Sequence, residues 1–156
     1  MPRLDRLPQV ARTSLETRPV EVHHDTPFVA PRGPLDTLRL ALVTTAGLHL
    51  RGDRPFTVDD PTFRVIPGTA RPADLVSSHT SIGFDRSAQT RDLNVVLPLD
   101  RIGELVERGE LGGIAPHHYA LLGAQSDSTR VAEHSGDELA RRLREDGADV
   151  VLLTPT

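Results

Sequence analysis

Leu38-Arg39-Leu40-Ala41-Leu42-Val43-Thr44-Thr45, closed by Ala46-Gly47, is the stretch on which the fold turns. A short apolar run with a small-residue exit reads as a buried strand, which a parallel sheet covered by helices requires. Asp149-Val150-Val151-Leu152-Leu153-Thr154 repeats the pattern and reads as a second buried strand. Between them, Ile102, Leu105 and Val106 recur at helical spacing after Asp100, which can cap that helix, and Gly109 suits its C′ position. Ser135-Gly136-Asp137-Glu138 fits a capping box, and Leu139 with Leu143 marks the buried stripe of a helix ending at Gly147. Thr62 to Ile66 alternates as a strand, Ala73 to Ser78 is a weaker one, Asn94 to Leu97 is strand or loop, and Tyr119 to Leu122 is another buried strand. Strands alternating with amphipathic helices predict an α/β fold, a mostly parallel sheet flanked by helices.

Residues 1–36 carry Pro2, Pro8, Pro19, Pro27, Pro31 and Pro34 with no sustained period. Each Pro removes a backbone donor and restricts its predecessor, so this segment is expected to be an irregular N-terminal arm with at most one short helical turn. Residues 37–156 are then a single α/β domain. The whole chain has 156 residues and a net charge of −4.

The absences narrow the function classes. No Cys is present, so this chain has no disulfide, thiolate metal site or thiol nucleophile of its own. No Trp, one Tyr and four Phe leave little for base stacking. All 18 basic residues are Arg, scattered and outnumbered by 22 acids, so there is no basic footprint for nucleic acid. No window approaches the ~18 apolar residues of a membrane span, and the first residues have no secretory pattern, so a cytoplasmic protein is expected.

Ligands of open α/β sheets bind beyond the carboxyl ends of the strands. There the sequence puts His49 and Arg51 after the first strand, His79, Asp85 and Asp92 after the weak third, and Thr154 and Thr156 at the last. His79 has the strongest individual claim, since a carboxylate six residues later, Asp85, can orient an imidazole for acid–base work. A metal centre is the competing use. His23-His24 and His117-His118 are adjacent pairs whose side chains point to opposite faces of an extended chain, so neither chelates an ion alone. His49, His79 and Asp85 are the remaining set, without an i, i+4 His pair to support it. No metal ligand is assigned, and a His/Asp metal-dependent hydrolase stays open as an alternative.

Several stretches together resemble a known family. Ala41 to Arg51, Phe63-Arg64-Val65-Ile66-Pro67, His79 with Asp85, Asp92 to Arg101, Ile114-Ala115-Pro116-His117 and Asp146 to Thr156 are similar, in order, to component B of the glycine, sarcosine, betaine and D-proline reductases. The resemblance spans about Pro34 to Thr156. It implies an oxidoreductase that cleaves a small amino-acid-like substrate reductively with a selenol or thiol, with a disulfide as acceptor. His79 and Asp85 would be the catalytic pair. His49, Arg51, Asp92, Asn94, Thr154 and Thr156 would face the substrate, an Arg fork suiting a carboxylate. The chain departs from the pattern at the nucleophile. The family's selenocysteine or cysteine is expected immediately after Thr156, where a selenocysteine codon can be read as stop, so the domain is expected to be incomplete there. No other cofactor is implied. Expected partners are a small-molecule substrate and other reductase components or a second chain, including a second copy, but neither nucleic acid nor membrane. A non-catalytic assembly subunit completed by a partner chain is the main alternative.

Overall fold

Strand β1, Arg39–Thr44, organises the main sheet, and all but its first residue are buried. In the computed structural model, which describes residues 4–17, 24, 29–81 and 83–155, it has parallel neighbours along both edges. Strand β7, Val150–Thr154, takes one edge over five residues from Leu40↔Val150 to Thr44↔Thr154. The other edge is shared by two short pieces in line, β5 (Gly113–Ile114) at Arg39 and Leu40 and β6 (His117–Ala120) at Val43 and Thr44. Ala115-Pro116 lies between them: the Ala115 N–H still donates to the Leu40 carbonyl at 2.9 Å, and the ladder lapses at Leu42 before β6 takes it up at Val43. Beyond β6 lies β3, Arg64–Pro67, antiparallel. The sheet is thus mostly parallel, as expected, with one antiparallel margin.

A separate two-stranded ribbon pairs β2 (Leu48–Leu50) with β4 (Leu75–Ser77). Strand β2 was not anticipated, and the weak third strand belongs to this ribbon rather than to the main sheet. Leu48 and Leu75 join Leu40, Leu42, Ile66 and Ala120 in one apolar cluster. Helix α3, Leu99–Glu107, closes it with Leu99 and Ile102, Leu105 and Val106 packing behind. Each such Leu or Ile contributes roughly 1.5–3 kcal/mol over its exposed state. Gly109, at φ +70°, ends the helix as its pattern predicts. The start differs from expectation. Pro98 occupies the cap position, and the Asp100 N–H is satisfied from outside by Asn94 Oδ1 at 3.0 Å. Residues Leu93–Val95 form a 3-10 turn, so that segment is not a strand.

Residues His117 and Tyr119 alternate with His118 and Ala120 and so face the opposite side of the sheet from the Leu40–Leu42 cluster. Helix α5, Asp137–Glu145, reaches that side through the Asp146 that follows it, and Gly147 at φ +66° turns the chain into β7. It is entered through α4 (Thr129–Val131) and a π-type turn at Ala132–Gly136. The expected capping box does not form. Ser135 is buried and donates to the Pro61 carbonyl at 2.6 Å, while Glu138 pairs with Arg141 and Arg142. Short helix α2, Ser87–Arg91, follows the ribbon.

Strand β7 is not buried as expected. Val151, Leu152 and Leu153 are 36 %, 41 % and 66 % exposed, and among the described residues its second edge has no strand. The chain divides between Ala30 and Pro31 into two compact units. In the first, a 3-10 turn (Leu4–Arg6) precedes helix α1, Gln9–Glu16, longer than the single turn expected there. Arg12 of α1 donates to the Leu4 and Asp5 carbonyls. Residues 31–37 lie in the second unit, where the Gly112 N–H donates to the Leu35 carbonyl at 2.9 Å.

Candidate functional site

Past the carboxyl end of β1 the chain turns at Ala46-Gly47, and the segment after β4 is stitched onto that turn. Ser77 Oγ donates to the Ala46 carbonyl at 2.9 Å, and the Ser78 N–H to the Gly47 carbonyl at 3.0 Å. Gly47 sits at φ +63°, and a Cβ there would lie 3.0 Å from the His79 nitrogen, so both backbone angle and space demand glycine. His79 is thereby fixed two residues after β4 of the ribbon and against the turn that follows β1, not at the end of a strand of the main sheet as its sequence position suggested.

Its imidazole is 3 % exposed and lies 4.1 Å, centroid to centroid, from the Phe84 ring. Nδ1 accepts the Ser81 N–H at 3.3 Å, so the proton of the neutral ring is on Nε2, which is buried with no partner among the described residues. Burial, and then the neighbouring Arg86 guanidinium, lower the pKa of His79 below the ordinary imidazole value. Arg86 also donates to the His79 carbonyl. The result is a neutral histidine with one unspent donor, suited to receiving developing negative charge or a leaving group's lone pair.

The other predicted residues separate. Among the described residues no hydrogen bond joins Asp85 to His79. Asp85 Oδ1 instead accepts the Ser87 N–H at 2.8 Å, just ahead of α2, and this hydrogen bond holds its carboxyl below the usual range. His49 is buried on the ribbon, its Nδ1 2.7 Å from the Leu50 carbonyl and its ring edge-on to Phe56. Asp92 accepts the Asn94 N–H and side-chain amide, and Asn94 bridges on to Asp100, so the pair fixes the entry to α3. Thr154 ends β7, where its hydroxyl donates to the Val96 carbonyl at 2.7 Å. Arg51 donates from Nε to the Ala73 carbonyl at 2.8 Å and lines a cleft of about 500 Å³ between the ribbon and α2. Thr156 and His23 lie outside the described residues. Among the described residues no three His, Asp or Glu groups stand together as a candidate metal centre. Nor is any described helix long and apolar enough to cross a membrane.

A second cluster escaped the sequence reading. On the α5 side of β6, the Asp146 carboxylate accepts His117 Nδ1–H at 2.8 Å and the Tyr119 hydroxyl at 2.5 Å. Phe63 lies edge-on to Tyr119 at 5.7 Å, with the Arg142 guanidinium over Phe63. Alternation along β6 puts His117 and Tyr119 on one face, which was the available signal. The pair His117-His118 points to opposite faces, as that alternation predicts, for His118 accepts the Leu42 N–H on the other side.

Comparison with known proteins gives a consistent set. The sequence model of the family described as "Glycine/sarcosine/betaine reductase selenoprotein B (GRDB)" matches residues 70–156. D-proline reductase subunit gamma of Acetoanaerobium sticklandii is 38 % identical over 121 residues, covering 77 % of this chain and 49 % of that protein. The sarcosine reductase complex component B subunit beta of Peptoclostridium acidaminophilum is 29 % identical over 126 residues, covering 78 % and 29 %. Glycine reductase complex component B subunit gamma of Carboxydothermus hydrogenoformans is 28 % identical over 127 residues, with the same coverage. The chain therefore spans about half the length of the first of these relatives and under a third of the others. No solved structure matches it.

Proposed function

The chain belongs to the glycine/sarcosine/betaine reductase selenoprotein B family, and on that footing we propose that it serves a component-B-type reductase in the selenol- or thiol-dependent reductive cleavage of a small amino-acid-like substrate. Cleaving a single bond reductively consumes two electrons and two protons, which a selenol and a thiol supply together as they close to a selenenyl sulfide. This chain has no Cys, so in this reading the selenol and the thiol come from outside its 156 residues. The chain's own residues bind and orient. Arg51 offers a fork to a carboxylate. His79 turns its Nε2–H toward the atom that gains electron density, and its burial beside Phe84 keeps water from competing for it. Asp85 acts at one remove, by shaping the turn that leads from His79 into α2. Other reductase components are the proposed partners, since the relatives named above include subunits of reductase complexes.

The observation that carries this reading is the buried, unpartnered Nε2 of His79 against the turn that follows β1. In the reconstituted, complete reductase, His79→Gln is expected to lower turnover about a hundredfold, within the 10²–10⁴ range of such groups, with little change in substrate affinity. A folded His79→Gln enzyme turning over within twofold of the wild type overturns it.

The exposed apolar β7 favours a second reading, an assembly subunit whose partner adds a strand along that edge. A chain that stays monomeric in size-exclusion chromatography with the other reductase components present counts against it.

A further inference from the structure

The cleft that Arg51 lines has a composition unlike the rest of this net-acidic chain. Among the described residues its only charged wall residues are Arg51 and Arg91, with no carboxylate lining it. Leu48, Leu75 and Leu93 supply apolar wall between them. Arg51 is steadied through Nε by the Ala73 carbonyl, which leaves its terminal N–H groups unspent, and Arg91 has no hydrogen bond or ion pair among the described residues. Asp74, which feels the Arg51 charge, is itself held by Arg71 through both oxygens. Gln89 stands in the same wall, and its Oε1 is buried with no partner. A buried acceptor left unpaired is destabilising, and an incoming donor at this wall removes that penalty when the amide turns to meet it. Two guanidinium forks ask for a planar anion, the leucines for a short hydrocarbon body, and the Gln89 oxygen for an N–H or O–H close to the anion.

We propose that the cleft walled by Arg51, Gln89 and Arg91 is a binding site for a small carboxylate that carries a neighbouring N–H or O–H donor. This deepens the reductase reading, because Ser77 in the cleft wall is two residues from His79 and accepts its N–H at 3.4 Å, so a ligand seated here lies along the strand that leads to the buried imidazole. The cleft is of a size common for small-molecule sites.

Equilibrium binding to the full chain tests it without any turnover. Acetate, glycolate, methylammonium and inorganic phosphate are titrated separately, with the Arg Nε–H and Gln side-chain amide resonances followed by NMR. Acetate and glycolate are expected to saturate shifts at Arg51, Arg91 and Gln89, with glycolate bound at least fivefold more tightly. Arg91→Ala should weaken both at least tenfold, and Gln89→Leu should erase the advantage of glycolate while leaving acetate unchanged. Arg51→Lys should weaken both several-fold, since a point charge replaces a fork. The proposal is overturned by phosphate or methylammonium binding as tightly as acetate, by Arg91→Ala leaving affinity unchanged, or by shifts that do not saturate. Because both Arg91 and Arg51 are exposed, their variants are expected to keep the wild-type unfolding midpoint, which is measured alongside for all three positions. Saturable carboxylate binding in a chain whose His79→Gln variant shows full turnover would separate the two readings, keeping the site and discarding the role of His79.

Discussion

The Leu42 main-chain N–H, in the middle of the central strand, is bound at 3.1 Å by the side chain of His118 rather than by a backbone carbonyl. The Ala115-Pro116 break removes the neighbouring ladder at that point, and Nδ1 of His118, fully buried, takes the vacant acceptor's place. The ring can do this only unprotonated at Nδ1. Burial, the adjacent His117 and, in the opposite sense, Asp146 leave its pKa at about 4.

That depression has a sign for stability. In the unfolded chain His118 takes a proton below about 6.5, while the folded state refuses it down to about 4. Its contribution is fully present above pH 6.5 and declines as pH falls from there to about 4, by about 3 kcal/mol in all. Urea unfolding at pH 7, 6, 5 and 4.5 should show this loss. His118→Gln, whose amide oxygen can still accept the Leu42 N–H, should be less stable at pH 7 but lose nearly one proton's worth of the slope.

Replacing Asp146 by Asn should cost about 1–3 kcal/mol, because the neutral amide cannot accept both donors as the carboxylate does and leaves Tyr119 or His117 poorly paired. Burial works against the charge on Asp146, yet the hydrogen bonds from Tyr119 and His117 outweigh it and hold the carboxyl below its usual value. Tyr119→Phe should cost less, since Asp146 keeps His117. A double-mutant cycle of Asp146→Asn with Tyr119→Phe, read by urea unfolding, should give a coupling near the full cost of the weaker variant.

How far the sequence foretold this structure depends on how local each signal was. Strand β1 and helix α3 were legible because an apolar run and an i, i+3, i+4 stripe are written in consecutive residues. Strand β2 was not, for Leu48-His49-Leu50 is too short to show a period and reads as the tail of a turn. The antiparallel sense of β3 depends on β6, fifty residues away, and leaves no local mark. Ser135 offered a capping box by spacing, but the Pro61 carbonyl, 74 residues distant, took its hydroxyl. Strand β7 carries the continuous apolar run of a strand with neighbours on both sides, so its run alone could not show that one edge has no strand among the described residues.

The site divides in the same way. That His79 follows a strand was legible, whereas its partner was not: the Ser81 N–H occupies Nδ1 of His79 and the Ser87 N–H occupies Asp85, each separately. Asp92 and Asn94 had the composition of a binding loop and are occupied in starting α3. Asp146 lies 29 residues from His117, a separation that no periodicity reports.

Gly47→Ala combines a positive φ with a Cβ 3.0 Å from the His79 backbone. The strained backbone alone costs of order 1 kcal/mol or more, and the contact adds to it because backbone atoms must move. The expected loss is about 2 kcal/mol in urea unfolding, together with a changed environment for the His79 ring, read as a displaced imidazole resonance by NMR. Gly52→Ala, where no atom lies within 4 Å of the added Cβ, should leave both unchanged.

The last prediction concerns the open edge of β7. Leu153 is two-thirds exposed on a strand whose outer N–H and C=O groups meet no strand among the described residues, with Val151 and Leu152 beside it. Apolar side chains on an unpaired edge invite a further strand, and a lysine there opposes it by charge without disturbing the β1 ladder, which uses backbone groups alone. Leu153→Lys should therefore change unfolding free energy by no more than about 0.5 kcal/mol, the usual range for exposed positions. It should lower concentration-dependent association in sedimentation velocity at low ionic strength, and Ala at the same position should lower it less. Equal association of wild type and Leu153→Lys across a hundredfold range of concentration would mean that β7 does not mediate contacts between copies of this chain.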